Sequence, residues 1–361
     1  MIRPLSFLFL ALCFSLVATA QYTVTGRIID SASQQPLVGA SVYAQNTTQG
    51  TVTNSEGHFS LPLKSGGYEL AISFTGYQTK QVRVTAADSE LGDVLMIQED
   101  KSLEEVIIRS SNEVMDGWEQ YGQFFLDHFV GTTPFAKETK LLNPEVLRFF
   151  LIKRTNKLRV MASEPLQLRN EALGYQIRFQ LDSFMYYYDN KINSYRGYCF
   201  YTELEGHRGD RNKWAENRKK AYYGSKLHFM RSYYDTTLAK DGFTIDIRNA
   251  TDSSKFSRLA NPYDSRYFGI VDSTGEVELW FPQKISVTYQ RQKPEKEYLE
   301  LFELPLDVPV QISYIDLTYS IFIQENGYFH DAKDWINQGY WSWKNLADQL
   351  PFDYVPGIDG R

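Results

Sequence analysis

Cysteine is nearly absent from this chain: there are two in 361 residues, Cys13 and Cys199. Cys13 falls in an apolar N-terminal run, so one thiol remains beyond it, and an internal disulfide is excluded there. Long apolar runs are equally scarce. After the first twenty residues none is long enough to cross a bilayer as a helix. The formal net charge is −6 and no continuous basic stretch occurs, which argues against nucleic acid as a partner. Lys and Arg do gather between Arg208 and Lys220, but Asp210 and Glu216 interrupt them, as on a solvated helix face.

Chemical motifs are missing too. None of the five histidines is followed by a Glu at the third place, and no His-Glu-x-x-His occurs. The two nitrogens and one carboxylate that hold a peptidase zinc are therefore not supplied. There is no Gly-x-Ser-x-Gly elbow and no Gly-x-x-x-x-Gly-Lys phosphate loop. His228, beside Phe229 and near Tyr222, reads as a hydrogen-bonded histidine at a helix contact rather than a general base. Cys199, between aromatics in Tyr198 to Tyr201, reads as an inert core thiol. No catalytic, cofactor or metal residue is assigned. One chemical alternative stays open: Asp182, Asp189, Glu203 and Glu205 sit on or beside strands, where two could meet as a glycoside-hydrolysing pair.

What is present begins with an address. Arg3, an apolar stretch from Leu5 to Val17 and the small residues Ala18-Thr-Ala20 read as a secretory signal peptide over residues 1–20, with the mature chain starting at Gln21. From Tyr22 to Gln98 apolar residues alternate with polar ones. Val24 and Ile28, Ala40 and Val42, Phe59, Leu61 and Leu63, and Leu70, Ile72 and Phe74 mark short strands, broken at Gly39, Gly57, Gly66-Gly67 and Gly76. Period two with frequent turns predicts a small antiparallel β-sandwich over 21–98.

These residues also carry a resemblance. Gly26-x-Ile-x-Asp30, Pro36-Leu-Val-Gly-Ala-Ser-Val42, Gly50-Thr-Val-Thr-Asn54, Glu56-Gly-x-Phe-Ser-Leu61 and Phe74-x-Gly-Tyr77 resemble, in order, the carboxypeptidase-regulatory-like domain. That is a transthyretin-like sandwich of Gram-negative envelope proteins. In that family the domain often precedes TonB-dependent outer-membrane receptors, and Ser102-Leu-Glu-Glu-Val-Ile-Ile-Arg109 is similar to the segment joining it to their plug. No plug follows here.

Residues 99–112 are charged and read as a linker. Beyond them, Trp118, Tyr121, Phe125 and His128-Phe129 recur at helical spacing, predicting a helix from about Val114 to Val130 that Gly117 and Gly122 weaken. Strands dominate from Asn143 onward. Val146 to Arg154 and Leu158 to Ala162 form a hairpin; Tyr175 to Tyr188 and Tyr195 to Leu204 are long aromatic strands. Gly269 to Val271 pairs with Val277 to Trp280, and Ile285 to Arg291 and Gln311 to Gln324 follow, the last turning at Asn326-Gly327. Asp210 and Ser225 cap two helices, the second carrying Leu227, Met230, Tyr234 and Leu238 and stopped by Gly242. The predicted fold is thus mainly β: an Ig/transthyretin-like sandwich, then an α+β domain over 113–361 with an antiparallel sheet and a helix pair. Segments such as Asn143-Pro-Glu-Val-Leu147, Gly224-Ser225-x-x-His228-Phe229 and Leu350-Pro-Phe-Asp-Tyr354 are similar to envelope proteins that join the sandwich to an uncharacterised C-terminal region.

Three features bear on binding. Arg208-Gly-Asp210 spells an adhesion tripeptide, but its Asp is the expected helix cap. Asn54-Ser-Glu-Gly57 offers one carboxylate where calcium wants several, and reads as a plain turn. Tyr186, Tyr187 and Tyr188 cannot all face one core, because side chains alternate along a strand, so they are the candidate binding surface. The resulting expectation is an exported, non-enzymatic protein, periplasmic or outer-membrane associated. Its partner would be an envelope protein, related to a TonB-dependent receptor, or a glycan. The alternatives are an envelope hydrolase and a small outer-membrane β-barrel accessory protein.

Overall fold

The computed structural model describes residues 21–99, 112–272, 274–329 and 335–357. The expected signal peptide and most of the expected 99–112 linker therefore lie outside the described residues.

The first unit is the expected sandwich. One sheet has the order β4(His58–Lys64)-β1(Gln21–Asp30)-β7(Glu90–Met96), and the other β3(Gly50–Val52)-β2(Ser41–Ala44)-β5(Tyr68–Ser73)-β6(Lys80–Val84). Alternation sorts the side chains as anticipated: along β4, Phe59, Leu61 and Leu63 point inward between exposed neighbours. They meet Val24, Ile28, Val42, Leu70, Ile72 and Met96 in one core. The pairing is not wholly antiparallel. β7 crosses over to run parallel to β1, with Ile28 beside Val94. At the exit of β1 the buried Asp30 carboxylate accepts from the N–H groups of Ala32 and Ser33 (2.9 and 2.6 Å) and from the Tyr77 hydroxyl (2.8 Å). The Ser33 and Tyr77 donors hold that carboxyl at about 2.

Beyond the sandwich the apolar residues divide between two cores. The first lies under a seven-stranded sheet of order β8(Glu113–Val114)-β10(Leu147–Ile152)-β11(Lys157–Ala162)-β13(Tyr175–Tyr187)-β12(Leu166–Asn170)-β9(Thr139–Leu141), with β14(Ile192–Glu203) along the other edge of β13. Helix α1 (Gly117–Phe129) packs on it through Phe125 and Phe129. Its glycines have a steric reason. A Cβ at Gly117 would stand 2.6 Å from the Phe149 Cβ, and one at Gly122 would stand 2.7 Å from the Trp118 ring. Close approach to β10 at Gly117, and room for the Trp118 ring at Gly122, thus offset the cost in helix propensity. Phe125 is fully buried, whereas Trp118 and Tyr121 of the same stripe are only half-buried.

The second core joins a five-stranded sheet, β16(Phe256–Arg258)-β15(Phe243–Arg248)-β19(Ile285–Tyr289)-β20(Gln311–Leu317)-β22(Trp335–Gly339), to a smaller one, β17(Phe268–Val271)-β18(Glu276–Leu279)-β21(Ile321–Ile323). The single strand expected from Gln311 to Gln324 is in fact β20 and β21, divided between the two sheets. The two named groups of strands, like the others, end on edges and do not close into a barrel among the described residues.

The helix pair is α2 (Arg208–Tyr222) and α3 (Lys226–Tyr234). Ser225 caps α3, accepting from the His228 N–H at 3.1 Å, as its position predicts. Asp210 is not a cap. It stands one turn into α2 and its carboxylate reaches back to the N–H of His207, the residue that does occupy the cap (3.0 Å). The stripe continuing from α3 is also interrupted, because Thr236 takes a positive φ of 57° and Leu238–Asp241 forms a separate turn ended by Gly242. Arg218 leaves the solvated face expected of its basic run. Buried, it donates to the carbonyls of Leu173 (2.8 Å) and Gly174 (3.3 Å) and to Glu203 (2.8 Å), with its guanidinium 4.0 Å from the Tyr175 ring centroid.

The sandwich does not hang free. Its Asn46–Thr47 segment covers the outer edge of β14: the Asn46 N–H donates to the Cys199 carbonyl (2.6 Å) and the Tyr201 N–H to the Thr47 carbonyl (3.0 Å). Tyr43 packs on Tyr198 and Phe200 beside them. A second seam runs along residues 324–328 and 352–354. Gln324 accepts from the Gly67 N–H (3.0 Å), and Asp353 accepts from the Thr48 N–H (3.0 Å), the Gln49 side chain (2.9 Å) and the Thr48 hydroxyl. Edge strands left open invite pairing with other chains, and this docking closes one.

A candidate binding face on the five-stranded sheet

The histidine and the cysteine weighed for chemistry, His228 and Cys199, are both held in the core. His228 is buried among Tyr222, Tyr223, Phe243 and Tyr289, and its Nδ1 accepts from the Gly224 N–H at 3.2 Å. Burial pushes its pKa down to about 4, so the ring is neutral and carries its proton on Nε2. Cys199 is buried with its Sγ 3.2 Å from the Asn46 Oδ1, and burial pushes the thiol up to about 12. That environment makes a thiolate costly.

Asp189 and Glu203 do not converge. Tyr187 pairs with Ile192 at one end of the β13–β14 hairpin and Tyr175 with Glu203 at the other. Asp189, in the connecting turn, is thus separated from Glu203 by the length of a strand of more than ten residues, roughly 40 Å at 3.3 Å per residue. A glycoside-hydrolysing pair requires about 5 to 9.5 Å. Asp189 instead accepts from Asn156 (2.6 Å), and Glu203 pairs with Arg218. Asp182 sits between, at the irregularity in the β13–β14 register, where burial raises its pKa and Arg196 opposes the rise. Asn54 is consumed by its own turn, accepting from the N–H groups of Glu56 (3.0 Å) and His58 (2.9 Å).

The tyrosine triplet divides by strand alternation. Tyr186 is buried, edge-on to Phe124 and His128. Tyr188 packs on the same side against Tyr186 and Phe124. Only Tyr187 looks the other way, half-buried, with Lys157 Nζ 4.6 Å from its ring centroid. Two of the three therefore serve the core under α1 and leave a single ring as surface.

A face that sequence reasoning missed is assembled on the five-stranded sheet. Its inward side presents Ile245, Ile285, Val287 and Ile315 to the core. The register sets the outward side. Phe256 lies opposite Arg248, the Arg248 N–H donates to the Lys284 carbonyl (2.9 Å), and Ser286 lies opposite Tyr314, itself opposite Gln338. An open groove of about 350 Å³ runs between Arg248, Ser253, Phe256, Lys284, Tyr314 and Gln338. The Phe256 and Tyr314 ring centroids stand 5.9 Å apart at 55°, although β15 and β19 intervene between their strands. Three strand spacings amount to about 14 Å, so the rings lean toward each other over the sheet.

Among the described residues, charge on this face is paired with one exception. Arg258 meets Asp246 (2.8 Å), and Lys284 meets both Asp316 (3.0 Å) and Gln338 (2.8 Å). The Arg248 guanidinium has no hydrogen-bond or ion-pair partner among the described residues. Alternation alone marks Arg248 as outward-facing; nothing local marks it as unpaired, since its neighbours arrive from strands far along the chain.

Residues 24–108 match the CarboxypepD_reg-like domain. Over 114 residues the chain is 30% identical to the TonB-dependent receptor SusC of Bacteroides thetaiotaomicron, covering 32% of this chain and 11% of that protein. Over 89 residues it is 34% identical to the TonB-dependent receptor P39 of Formosa agariphila, covering 25% of this chain and 8% of that one. The chain therefore spans only a small fraction of these relatives. Among solved structures, a type II cohesin–X-dockerin complex from Acetivibrio cellulolyticus shares 30% identity, 21% of this chain and 56% of that chain, at a TM-score of 0.19, too low to support a structural comparison.

Proposed function

From a carboxypeptidase-regulatory-like domain in the N-terminal quarter of the chain, we propose a non-enzymatic binding protein of the cell envelope. The sandwich is its fixed structural module, and the C-terminal α+β region is its binding part. The observation that carries this reading is the groove on the five-stranded sheet, where polar and aromatic side chains surround one uncompensated cation on a rigid backbone. The occupied state of His228, Cys199, Glu203 and Asp189 supports a role without covalent chemistry. The likeness of residues 24–108 to a segment of TonB-dependent receptors supports export and an envelope setting.

The test uses the full mature chain as bait against native envelope extract and a glycan array, beside an Arg248→Ala/Tyr314→Ala double variant of equal stability. Ligands retained by the parent and lost by the variant are expected. If every ligand survives the double substitution, the binding part lies elsewhere.

A further inference from the structure

We propose that the groove between Phe256 and Tyr314 binds an anionic saccharide: a pyranose ring carrying a carboxylate or sulfate, its charge held by Arg248. The assignment rests on the C-terminal region being the binding part, and it names the ligand class.

Charge complementarity comes first. With Asp246 neutralised by Arg258 and Lys284 by Asp316, the lining carries one net positive charge, that of Arg248. A guanidinium presents a planar fork that matches a carboxylate or sulfate through two parallel hydrogen bonds. The Arg248 backbone is tied into the sheet, so the fork starts from a fixed base. Beside it the loop 249–255 is held by its own hydrogen bonds: Asn249 accepts from the N–H groups of Thr251 (2.9 Å) and Asp252 (3.1 Å), and its N–H donates to the Lys255 carbonyl (2.8 Å). That loop brings Ser253 to the groove.

The remaining lining selects the scaffold that bears the anion. Two leaning rings offer apolar faces to the C–H side of a sugar, while Ser253 and Gln338 offer a hydroxyl and a carboxamide to its ring hydroxyls. The groove is at the small end of ligand sites, which span roughly 300 to 1,000 Å³, so one or two sugar units fill it. An acidic peptide fits less well. The groove lies on the face of the sheet, across the strands, and not along an edge where main-chain hydrogen bonds could hold an extended chain. One unpaired cation in the groove among the described residues, on a chain of net charge −6, likewise disfavours a polyanion such as nucleic acid.

The measurement is calorimetric titration of the full mature chain with four probes: a trigalacturonate, its fully methyl-esterified form, a sulfated galactan oligomer and a hexaglutamate peptide. Binding of the trigalacturonate or the sulfated oligomer is expected, at least tenfold tighter than the neutral ester and the peptide, and which of the two binds tighter identifies the anion. Arg248→Ala should abolish that preference. Arg248→Lys should restore part of it, separating charge from fold. Tyr314→Ala should weaken the acidic sugars while leaving the melting temperature in place. Equal binding of the ester, equal binding of the peptide, or an Arg248→Ala protein that keeps the preference would each overturn the assignment. If no probe binds while Arg248→Ala/Tyr314→Ala still loses an envelope ligand, the saccharide assignment falls and the binding role of the face stands.

Discussion

The two halves solve the same problem with different means. The sandwich closes one core from strands within residues 21–96, and its buried carboxyl, Asp30, is tied by donors from the adjoining turn and Tyr77. The C-terminal region divides its apolar residues between two cores and inserts polar groups between elements far apart in the chain. Arg218 clamps three partners, and Arg231 donates to the carbonyls of Asn326, Phe352 and Tyr354 at 2.9 to 3.0 Å. A short local sandwich needs only alternation and turns. A region whose layers come from distant segments uses directional hydrogen bonds to fix which layer meets which, and so gains points at which it can be undone separately.

The strongest separation of the halves is expected from Phe125→Ala, which empties a fully buried site under the seven-stranded sheet. It should cost the C-terminal region about 3 to 5 kcal/mol. All six tryptophans lie beyond residue 117, so denaturant curves followed by Trp fluorescence report that region alone. The sandwich, followed by amide exchange of β1 and β4, should keep its protection. Trp118→Ala, at a half-buried position, should cost less than Phe125→Ala; the reverse order would show that the stripe packs differently.

Acid should then distinguish the halves without mutation. His228 is neutral in the fold, with its pKa near 4 against an ordinary 6.5. Between those values the unfolded chain takes up a proton that the folded chain refuses, so stability falls as pH drops from about 6.5 to about 4, by up to about 3 kcal/mol. The sandwich's Asp30 has the opposite shift. Its stabilisation is present above the ordinary carboxylate range and is lost only as pH falls toward 2, so the sandwich should not share the loss at pH 4.5. His228→Gln, retaining an acceptor for Gly224, should flatten the acid slope of the tryptophan transition. A slope unchanged by that substitution would assign it to another group.

A smaller effect is expected where the halves join. Asp353→Ala leaves the Thr48 N–H and the Gln49 amide without their acceptor in a covered seam, at a cost of about 1 to 3 kcal/mol. It should show as two separated thermal transitions in place of a coupled one. Tyr187→Ala, removing the outward ring beneath Lys157, should change stability by only about 0.5 to 1 kcal/mol, measured by the same melts.

The sandwich was legible because its information is local: alternation gives the faces, and glycines such as Gly57, with φ of 79°, give the turns. Hairpins of the second half were legible for the same reason, Asn156 taking the left-handed turn between β10 and β11. The division of Gln311 to Gln324 between two sheets was not, since each piece alternates correctly and only its partners differ. Asp210 missed the cap by three residues because Asp serves at both ends of a capping box. The groove was hidden most deeply. It needs five strands in a nonsequential order before Arg248 is seen to lack a partner and Phe256 to lean on Tyr314. The Leu350-Pro-Phe-Asp-Tyr354 segment was noticed as a likeness alone; its physical role, through Phe352 and Asp353, is to hold the sandwich in place.

That role sets an order of events in the life of the chain. Thr48 and Asp353 are 305 residues apart, and joining the ends of a flexible segment of that length would cost about 5 kcal/mol in closure entropy. A few hydrogen bonds cannot meet that cost alone. The latch becomes affordable only after the two intervening cores have condensed and brought its halves within reach. Synthesis from the N-terminus would deliver a finished sandwich long before its Asp353 latch exists. Until residue 353 emerges, the Thr48–Gln49 side of the sandwich waits without its Asp353 acceptor, and the interval between those two moments is when a chaperone would find the most to hold.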